Sequence, residues 1–264
     1  DRGQGGARPQ DSGGPRGYGA LVPRARSLLL LGAGGLVAGL VAVQARRLWL
    51  ATTMEDDHAA YWRRRGRSPG AVLLVALGDS LAQGLGAVHP ERSWAGRLAH
   101  ALEARRGDRV RVVNLGVCGA TAADVLADQL PAVPPEAFTD PTSLVALAVG
   151  TNDAAQDVPV DDFRRDLETL CAALPPGALV ADVPDLQRGA VREHGARLAA
   201  VAREVVAAHP GLRPVALEAA THRIRLWEAG PDLAHPNGRG YRRYGRAFIA
   251  ALDGSGERTR SSRA

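Results

Sequence analysis

The chain has 264 residues, of which 45% are hydrophobic, and this is enough to bury the core of one α/β domain. The net charge of +5 arises in residues 1–70, where eleven arginines stand against five acidic residues, whereas twenty-two arginines and twenty-three acidic residues follow. This balance argues against nucleic-acid binding, the two cysteines are too few for a disulfide framework, and no Cys or His spacing fits zinc, so we expect no metal and no cofactor.

Residues 1–26 are rich in glycine, proline and arginine, a composition that predicts disorder. The next seventeen residues, SLLLLGAGGLVAGLVAV at 27–43, carry no charge and are flanked by arginines. They are typical of a secretory signal peptide or a short membrane-spanning helix, and we assign residues 27–45 to one of these two. An arginine directly after Ala45 disfavours cleavage, so the preferred interpretation is an uncleaved membrane anchor.

The surroundings of this apolar segment predict where the protein resides. A buried core helix is the remaining interpretation, but such a helix has nothing to pack against between two arginine-rich polar stretches. We therefore expect a membrane-anchored or exported protein of the cell envelope. Arginines flank the segment in similar number on both sides, so the positive-inside rule does not orient it. Residues 46–70 are predicted to be a linker, and residues 253–264 a disordered tail.

Residues 71–252 alternate short apolar runs with helical patterns, which predicts one folded domain. The runs lack hydrophobic–polar alternation and so indicate parallel strands covered on both faces: AVLLVAL at 71–77, VRVVNL at 110–115, SLVALAV at 143–149, ALVADV at 178–183 and RPVAL at 213–217. Helical spacing recurs between and after them, at 93–106, 121–130, 160–174, 188–208 and 239–252. The predicted architecture is a doubly wound three-layer α/β sandwich with a five-stranded parallel sheet.

Small and polar clusters stand where functional residues of such folds are found, beyond the carboxyl ends of the strands. Ser80 follows the first strand, NLGVCGAT at 114–121 the second, and GTND at 150–153 the third. A fourth cluster, DLAHPN at 232–237, lies in the long loop before the last helix. The four clusters are therefore predicted to meet at one edge of the sheet.

Ser80, Asp232 and His235 have the residue types of a nucleophile, an orienting acid and a base. A serine hydroxyl is a weak nucleophile until a base takes its proton, and histidine suits this task because its pKa lies near neutrality. The second ring N–H needs an acceptor, and a carboxylate three residues earlier can reach it across one turn. A single aspartate or histidine in a loop is more often a turn or capping residue. The two together at this spacing favour a catalytic role.

Three groups at the strand ends are candidates for stabilising an oxyanion. Attack on an acyl carbon leaves negative charge on oxygen, and fixed donors lower the energy of that state. The candidates are the backbone N–H groups of Ser80 and Gly119 and the side-chain amide of Asn152. A turn glycine and a loop-capping asparagine are the more common roles for such residues, but these roles do not explain why all three follow consecutive strands.

These residues resemble the four blocks of the SGNH/GDSL hydrolase superfamily, in the same order and across the whole predicted domain. The blocks are GDSL at 78–81, the glycine of NLGVCGAT, GTND at 150–153 and DLAHPN at 232–237. The resemblance implies a flavodoxin-like fold and a cofactor-free serine esterase or lipase. It implies that Ser80 is the nucleophile, that Gly119 and Asn152 complete its oxyanion hole, and that His235 is the base, oriented by Asp232.

Other residues near the motifs have supporting or structural interpretations. We assign Asp79 and Asp153 positions behind the reacting groups, where Asp153 would hold the Asn152 loop in place. Cys118 is interpreted as a small buried hydrophobe. Trp94 is expected to pack at a helix start, and Tyr241 and Tyr244, three residues apart, are expected to pack on the sheet.

Several alternatives stay open at this point. GLGAVH at 84–89 lacks the third glycine of a dinucleotide-binding turn, and no G-x-S-x-G of an α/β-hydrolase elbow occurs. Acyl transfer to an alcohol or sugar shares the acyl-enzyme with hydrolysis, and a membrane-tethered binding module without catalysis is the remaining class. The expected substrate is a small-molecule, lipid or glycan ester, and the catalytic domain is expected to be monomeric.

Overall fold

The computed structural model describes residue 39 and residues 41–45, 53–187 and 189–261, with side chains described as far as residue 254. Residues 41–45 are helical and belong to a unit that comprises residues 1–46. The predicted disordered segment and most of the predicted anchor lie outside the described residues. Among the described helices, none is both long and apolar enough to cross a membrane.

The second unit is built on a five-stranded parallel sheet, which confirms the predicted fold class. The strands are β1 (Val72–Gly78), β2 (Val110–Asn114), β3 (Leu144–Ala148), β4 (Leu179–Ala181) and β5 (Arg213–Val215). Their order is β2-β1-β3-β4-β5. In this doubly wound order, β2 is added on one side of β1 and the later strands on the other, so the strand order reverses between β1 and β3. Ligands of such sheets bind outside the carboxyl ends of the strands at this reversal, next to the last residue of β1.

Helices cover both faces of the sheet. They are α1 (53–67), α2 (Ser80–Gln83), α3 (Trp94–Arg106), α4 (Ala122–Asp124), α5 (Glu136–Thr139), α6 (Thr151–Ala155), α7 (Val160–Ala173), α8 (Gly189–Ala207), α9 (Leu217–Thr221) and α10 (Tyr241–Ser261). The helix predicted at 121–130 is broken up, because α4 passes into a π turn (Val125–Gln129) and then a 3₁₀ turn (Leu130–Ala132). The other four predicted helices are present.

The apolar core has two layers, one on each face of the sheet. Helices α7 and α8 supply the cluster on one face, and α1, α3 and α10 supply the cluster on the other. In the second layer Trp94 stacks on Phe248 with ring centroids 4.2 Å apart. Tyr241 and Tyr244 are buried in the same layer, so the packing roles predicted for all three residues are confirmed.

The predicted linker is wrong over residues 53–67, which form α1 and pack on the domain. Trp62 is 3% exposed, and its indole N–H donates to the Gln83 carbonyl at 2.9 Å. The buried His58 imidazole contacts the same carbonyl at 3.1 Å. The packed side chains are only His58, Tyr61 and Trp62, and arginines and acids flank them in the sequence, so the helical period of α1 was not recognisable from hydrophobicity alone.

The predicted tail also differs from the structure, because α10 continues to Ser261. At the point where the prediction ended the helix, the Arg105 guanidinium holds the Asp253 carboxylate at 2.7 Å. This ion pair links α3 to the turn of α10 around Asp253. The residues of that turn are polar, so the sequence pattern did not indicate that the helix continues there.

Candidate active site

Ser80 lies at the sharp turn between β1 and α2. Gly78 ends the strand with a φ of +140°, and a Cβ atom there would lie 2.0 Å from the Ala148 carbonyl oxygen, so only glycine fits. Asp79 follows as the N-cap of α2, and its side chain accepts from the Leu81 N–H at 2.8 Å. The next residue, Ser80, is thereby held at the carboxyl edge of the central strand with 5% of its surface exposed.

The Ser80 hydroxyl meets His235 across 155 residues of sequence. Ser80 Oγ and His235 Nε2 are 2.8 Å apart, the distance of a normal hydrogen bond. The histidine lies in the loop before α10, and the buried Gly86 backbone passes against its Cβ. The geometry brings the first and last of the predicted strand-end clusters together.

Asp232 contacts the opposite nitrogen of the same imidazole. Its Oδ2 lies 2.5 Å from His235 Nδ1, and its Oδ1 accepts the backbone N–H groups of Ala234 and His235 at 3.0 Å each. Leu233 has a φ of 58°, and this left-handed residue folds the loop so that the carboxylate faces the ring three positions later. Burial alone would raise the pKa of Asp232, but the His235 ring and these hydrogen bonds hold it at about 2.

This arrangement gives each ring nitrogen of His235 a defined partner. An ionised Asp232 accepts a proton-bearing Nδ1, which leaves Nε2 with a lone pair toward the Ser80 hydroxyl. Such a line of groups can take the hydroxyl proton and return it to a departing oxygen.

The candidate oxyanion donors lie on the adjacent strand ends. In the part of the chain that the structure describes, no hydrogen-bond acceptor faces the backbone N–H of Ser80 or of Gly119. Gly119 has a φ of +82° and space for its missing side chain. The Asn152 amide donates to the Ala120 carbonyl at 3.0 Å and to Asp79 Oδ2 at 3.4 Å, so it bridges the second and third clusters.

Asp79 is fully buried behind Ser80. Burial raises its pKa to about 6, although the Leu81 N–H and the nearby His235 both favour the ionised form. A carboxylate beneath the site thus supports the Asn152 amide and the first turn of α2 at the same time.

Asp153 connects the third cluster to the second. Both of its carboxylate oxygens accept from the Ala122 N–H, at 3.1 and 3.2 Å, and burial raises its pKa to about 6. It holds the segment after Gly119 against α6, the helix that also carries Asn152. Cys118, predicted to be buried, is half-buried, and burial together with the Glu55 carboxylate raises its pKa to about 11.

Gln129 was missed from the sequence, although it fixes the end of β1. Its side-chain oxygen accepts from the Gly78 N–H at 2.9 Å, and its amide donates to the Gly78 carbonyl at 2.7 Å. The side chain comes from the π turn after α4 and is 3% exposed. No local pattern distinguishes this glutamine from a surface one, because the π turn that aims it inward has no hydrophobic signature.

A sequence model of the GDSL-like lipase/acylhydrolase family matches residues 76–243, which is more than half of the chain. The matched region includes Ser80, Gly119, Asn152 and the loop with Asp232 and His235. A comparison with curated proteins gave no significant match.

Solved structures share the fold of the second unit. An α/β hydrolase enzyme from the metagenome of Lake Arreo, Spain, superposes with a TM-score of 0.55 at 22% identity, over 71% of this chain and 97% of its own. An acetylxylan esterase from Geobacillus stearothermophilus gives a TM-score of 0.53 at 20% identity, with 69% and 93% covered. A lipase from a goat rumen metagenome gives 0.53 at 16% identity, with 69% and 97% covered.

Proposed function

The chain belongs to the GDSL-like lipase/acylhydrolase family, and we propose that it is a serine esterase that cleaves carboxylic esters through an acyl-enzyme on Ser80. The observation that carries this proposal is the continuous line from Ser80 Oγ through His235 to Asp232, with contacts of 2.8 and 2.5 Å. Residues from both ends of the domain converge to make it. A purely structural role for His235 does not explain why its ring lies between a carboxylate and a serine at the end of a strand.

In the proposed first step, Ser80 Oγ attacks the ester carbonyl carbon while its proton passes to His235 Nε2. The carbonyl oxygen becomes an oxyanion, for which the N–H groups of Ser80 and Gly119 and the Asn152 amide are the proposed donors. When the carbon–oxygen bond to the alcohol breaks, Nε2 returns the proton to the departing oxygen. The acyl group stays on Ser80, and the free alcohol leaves.

In the second step, water gives a proton to His235 Nε2 and attacks the acyl carbon. Ser80 Oγ leaves, regains that proton, and the carboxylic acid is released. Asp232 stays ionised throughout, because its pKa of about 2 lies far below that of an imidazolium, and its charge stabilises the protonated ring. No cofactor enters this mechanism.

We propose short acyl esters, such as acetyl groups on carbohydrate, as the substrate class. The support is the shared fold with an acetylxylan esterase of Geobacillus stearothermophilus, whose sheet and helices align over most of the second unit. Attachment to the membrane through residues 27–43, in the cell envelope, stays a prediction of the sequence.

Hydrolysis of a p-nitrophenyl acyl series by the full chain tests this function. We expect the acetyl ester to react fastest, and Ser80→Ala and His235→Ala to lose at least about 10³-fold in kcat/KM, since either change removes the activated nucleophile. His222→Ala is the matched control. Like His235, His222 contacts a carboxylate, that of Asp185 at 3.0 Å, but it is not the histidine that contacts Ser80. Wild-type rates in both site variants would refute the assignment.

A further inference from the structure

A groove between α3, α10 and the loop at 89–92 carries an unbalanced positive charge. Its volume is about 950 Å³. Four arginines and two histidines line it: Arg92, Arg97, Arg242, Arg246, His89 and His100. We call this cavity the basic groove. It contains none of the residues of the candidate active site.

No acid within the described residues neutralises these four arginines. The one carboxylate that lines the groove, Glu91, accepts from the Tyr61 hydroxyl, pairs with Arg65 of α1 at 3.4 Å and lies 3.6 Å from the His100 imidazole. Arg97 donates to two carbonyl oxygens, of Arg92 at 3.0 Å and of Gly238 at 2.8 Å. Burial lowers the pKa of Arg97, and the like charges of Arg242, Arg92 and Arg246 lower it further. The groove is therefore a site of cation repulsion that an anion would relieve.

The positive surface continues beyond the groove along α10. A second cavity of about 590 Å³ shares Arg242 and Arg246 with it and adds Arg239. Arg243 also lines this cavity, but Glu228 neutralises it at 2.9 Å. Thus a strip of arginines covers one side of a domain whose total charge is close to zero.

Large apolar side chains are exposed directly before lining residues of both cavities in the sequence. Val88 precedes the groove residue His89 and is 83% exposed. Leu226 and Trp227 precede Glu228 of the second cavity and are 72% and 58% exposed. A soluble anion would leave these side chains in water, whereas an interface with a lipid surface would cover them.

We propose that the basic groove and these apolar side chains dock the catalytic domain on an anionic phospholipid surface, with headgroup phosphates in the groove. Juxtaposed arginines and exposed tryptophan, leucine and valine side chains match the two parts of such a surface, its charged headgroups and its acyl boundary. This docking surface is separate from the apolar segment at 27–43 and does not depend on esterase activity.

The position of the groove gives docking a consequence for the candidate site. Arg97 of the groove holds the Gly238 carbonyl, three residues after His235 in the same loop. One hydrogen bond thus links the groove to the loop that carries the proposed base. Docking would hold that loop beside the lipid surface.

Sedimentation of the full chain with vesicles tests the proposal. The vesicles are phosphatidylcholine alone, or phosphatidylcholine mixed with phosphatidylglycerol. We expect Arg242→Ala/Arg246→Ala to weaken binding to the anionic vesicles about 30-fold, at about fivefold per arginine, and to leave binding to neutral vesicles unchanged. Trp227→Ser should weaken the same binding, and raised salt should reduce it.

The matched control is Arg164→Ala/Arg165→Ala, which removes the same charge from α7 on the opposite face of the sheet. Equal urea unfolding midpoints for the two double variants establish that both are folded. Equal vesicle binding by the two double variants overturns the proposal. The proposal is also overturned if Arg242→Ala/Arg246→Ala keeps its vesicle binding but loses binding to inorganic phosphate or to a DNA duplex. The first loss assigns the groove to a soluble phosphate ligand, and the second assigns it to a nucleic acid.

Discussion

Asp232 shows at the scale of one residue how the loop before α10 selects the ring orientation of His235. One carboxylate oxygen is committed to the backbone N–H groups of its own loop, and the other to Nδ1 of the ring. The carboxylate therefore cannot rotate away without losing three hydrogen bonds. The ring is held with Nε2 toward Ser80 before any substrate arrives.

Asp232→Asn tests this orienting role. An amide can present its N–H₂ to Nδ1, which favours the tautomer with the proton on Nε2, so the ring cannot accept the Ser80 proton. We expect kcat for a p-nitrophenyl ester to fall by about 10²- to 10⁴-fold with KM little changed. Asp185→Asn, which alters the partner of His222, is the control and should keep wild-type kinetics. A kcat within about twofold of wild type would contradict the orienting role.

Asp79 illustrates the cost of a buried charge. Its pKa is raised from 3.8 to about 6 by burial, so the folded chain binds this proton more tightly than the unfolded chain does. The stability linked to Asp79 is therefore complete below about pH 4 and is lost as the pH rises through about 6.

Asp79→Asn removes this ionisation and keeps an oxygen that can cap α2. We expect its free energy of unfolding in urea to exceed that of wild type by roughly 2–3 kcal/mol at pH 7.5, with the difference vanishing near pH 4. Asp128→Asn, the same change at an exposed position, is the control. A variant that is less stable than wild type at pH 7.5 would mean that the hydrogen bonds to the ionised carboxylate outweigh its burial.

At the scale of elements, α1 extends the domain beyond the boundary that the apolar pattern predicts. Its Trp62 lies in the core layer with α3 and α10, and its indole N–H and the His58 ring converge on the carbonyl at the end of α2. The helix that follows the Ser80 turn is thus held at both ends, by Asp79 at its start and by α1 at its finish.

Trp62→Ala tests whether α1 is part of the folded domain. Loss of a buried indole leaves a cavity and removes one of the two contacts to the Gln83 carbonyl, so we expect about 3–5 kcal/mol less free energy of unfolding in urea. Arg63→Ala, one position along on the exposed side, should change stability by less than about 0.5 kcal/mol. If both variants unfold at the same urea concentration, the packing of α1 contributes nothing to the domain.

At the scale of the whole molecule, the sheet was predictable because its three central strands, β1, β3 and β4, are buried on both faces. Runs such as AVLLVAL carry that signal without any partner being known. Helix α1 and the end of α10 were not predictable, since their packing depends on Trp62 and on the Arg105–Asp253 ion pair, whose partners are distant in sequence. The broken helix after residue 121 depends on Gln129 turning inward to Gly78, again a tertiary contact.

The candidate site was predictable for a related reason. Parallel strands bring their carboxyl ends to one edge, so Ser80, Gly119 and Asn152 had to approach one another once the strands were assigned. The approach of His235 followed from the family resemblance and the Asp232 spacing. The clustering of positive charge in the basic groove could not be predicted from the sequence. Its arginines come from α3, α10 and the loop between α2 and α3, and acidic residues elsewhere in the domain balance them when charges are counted along the chain.

Covalent labelling tests the central claim, that Ser80 is a nucleophile activated by His235. The full chain is treated with a fluorophosphonate, and the adduct is measured by intact mass and mapped by peptide sequencing. We predict one adduct, on Ser80, which is absent from Ser80→Ala, slowed at least about 10²-fold in His235→Ala, and unchanged in the His222→Ala control. An adduct on another residue, or ester hydrolysis by a chain that takes no label at Ser80, would contradict the account.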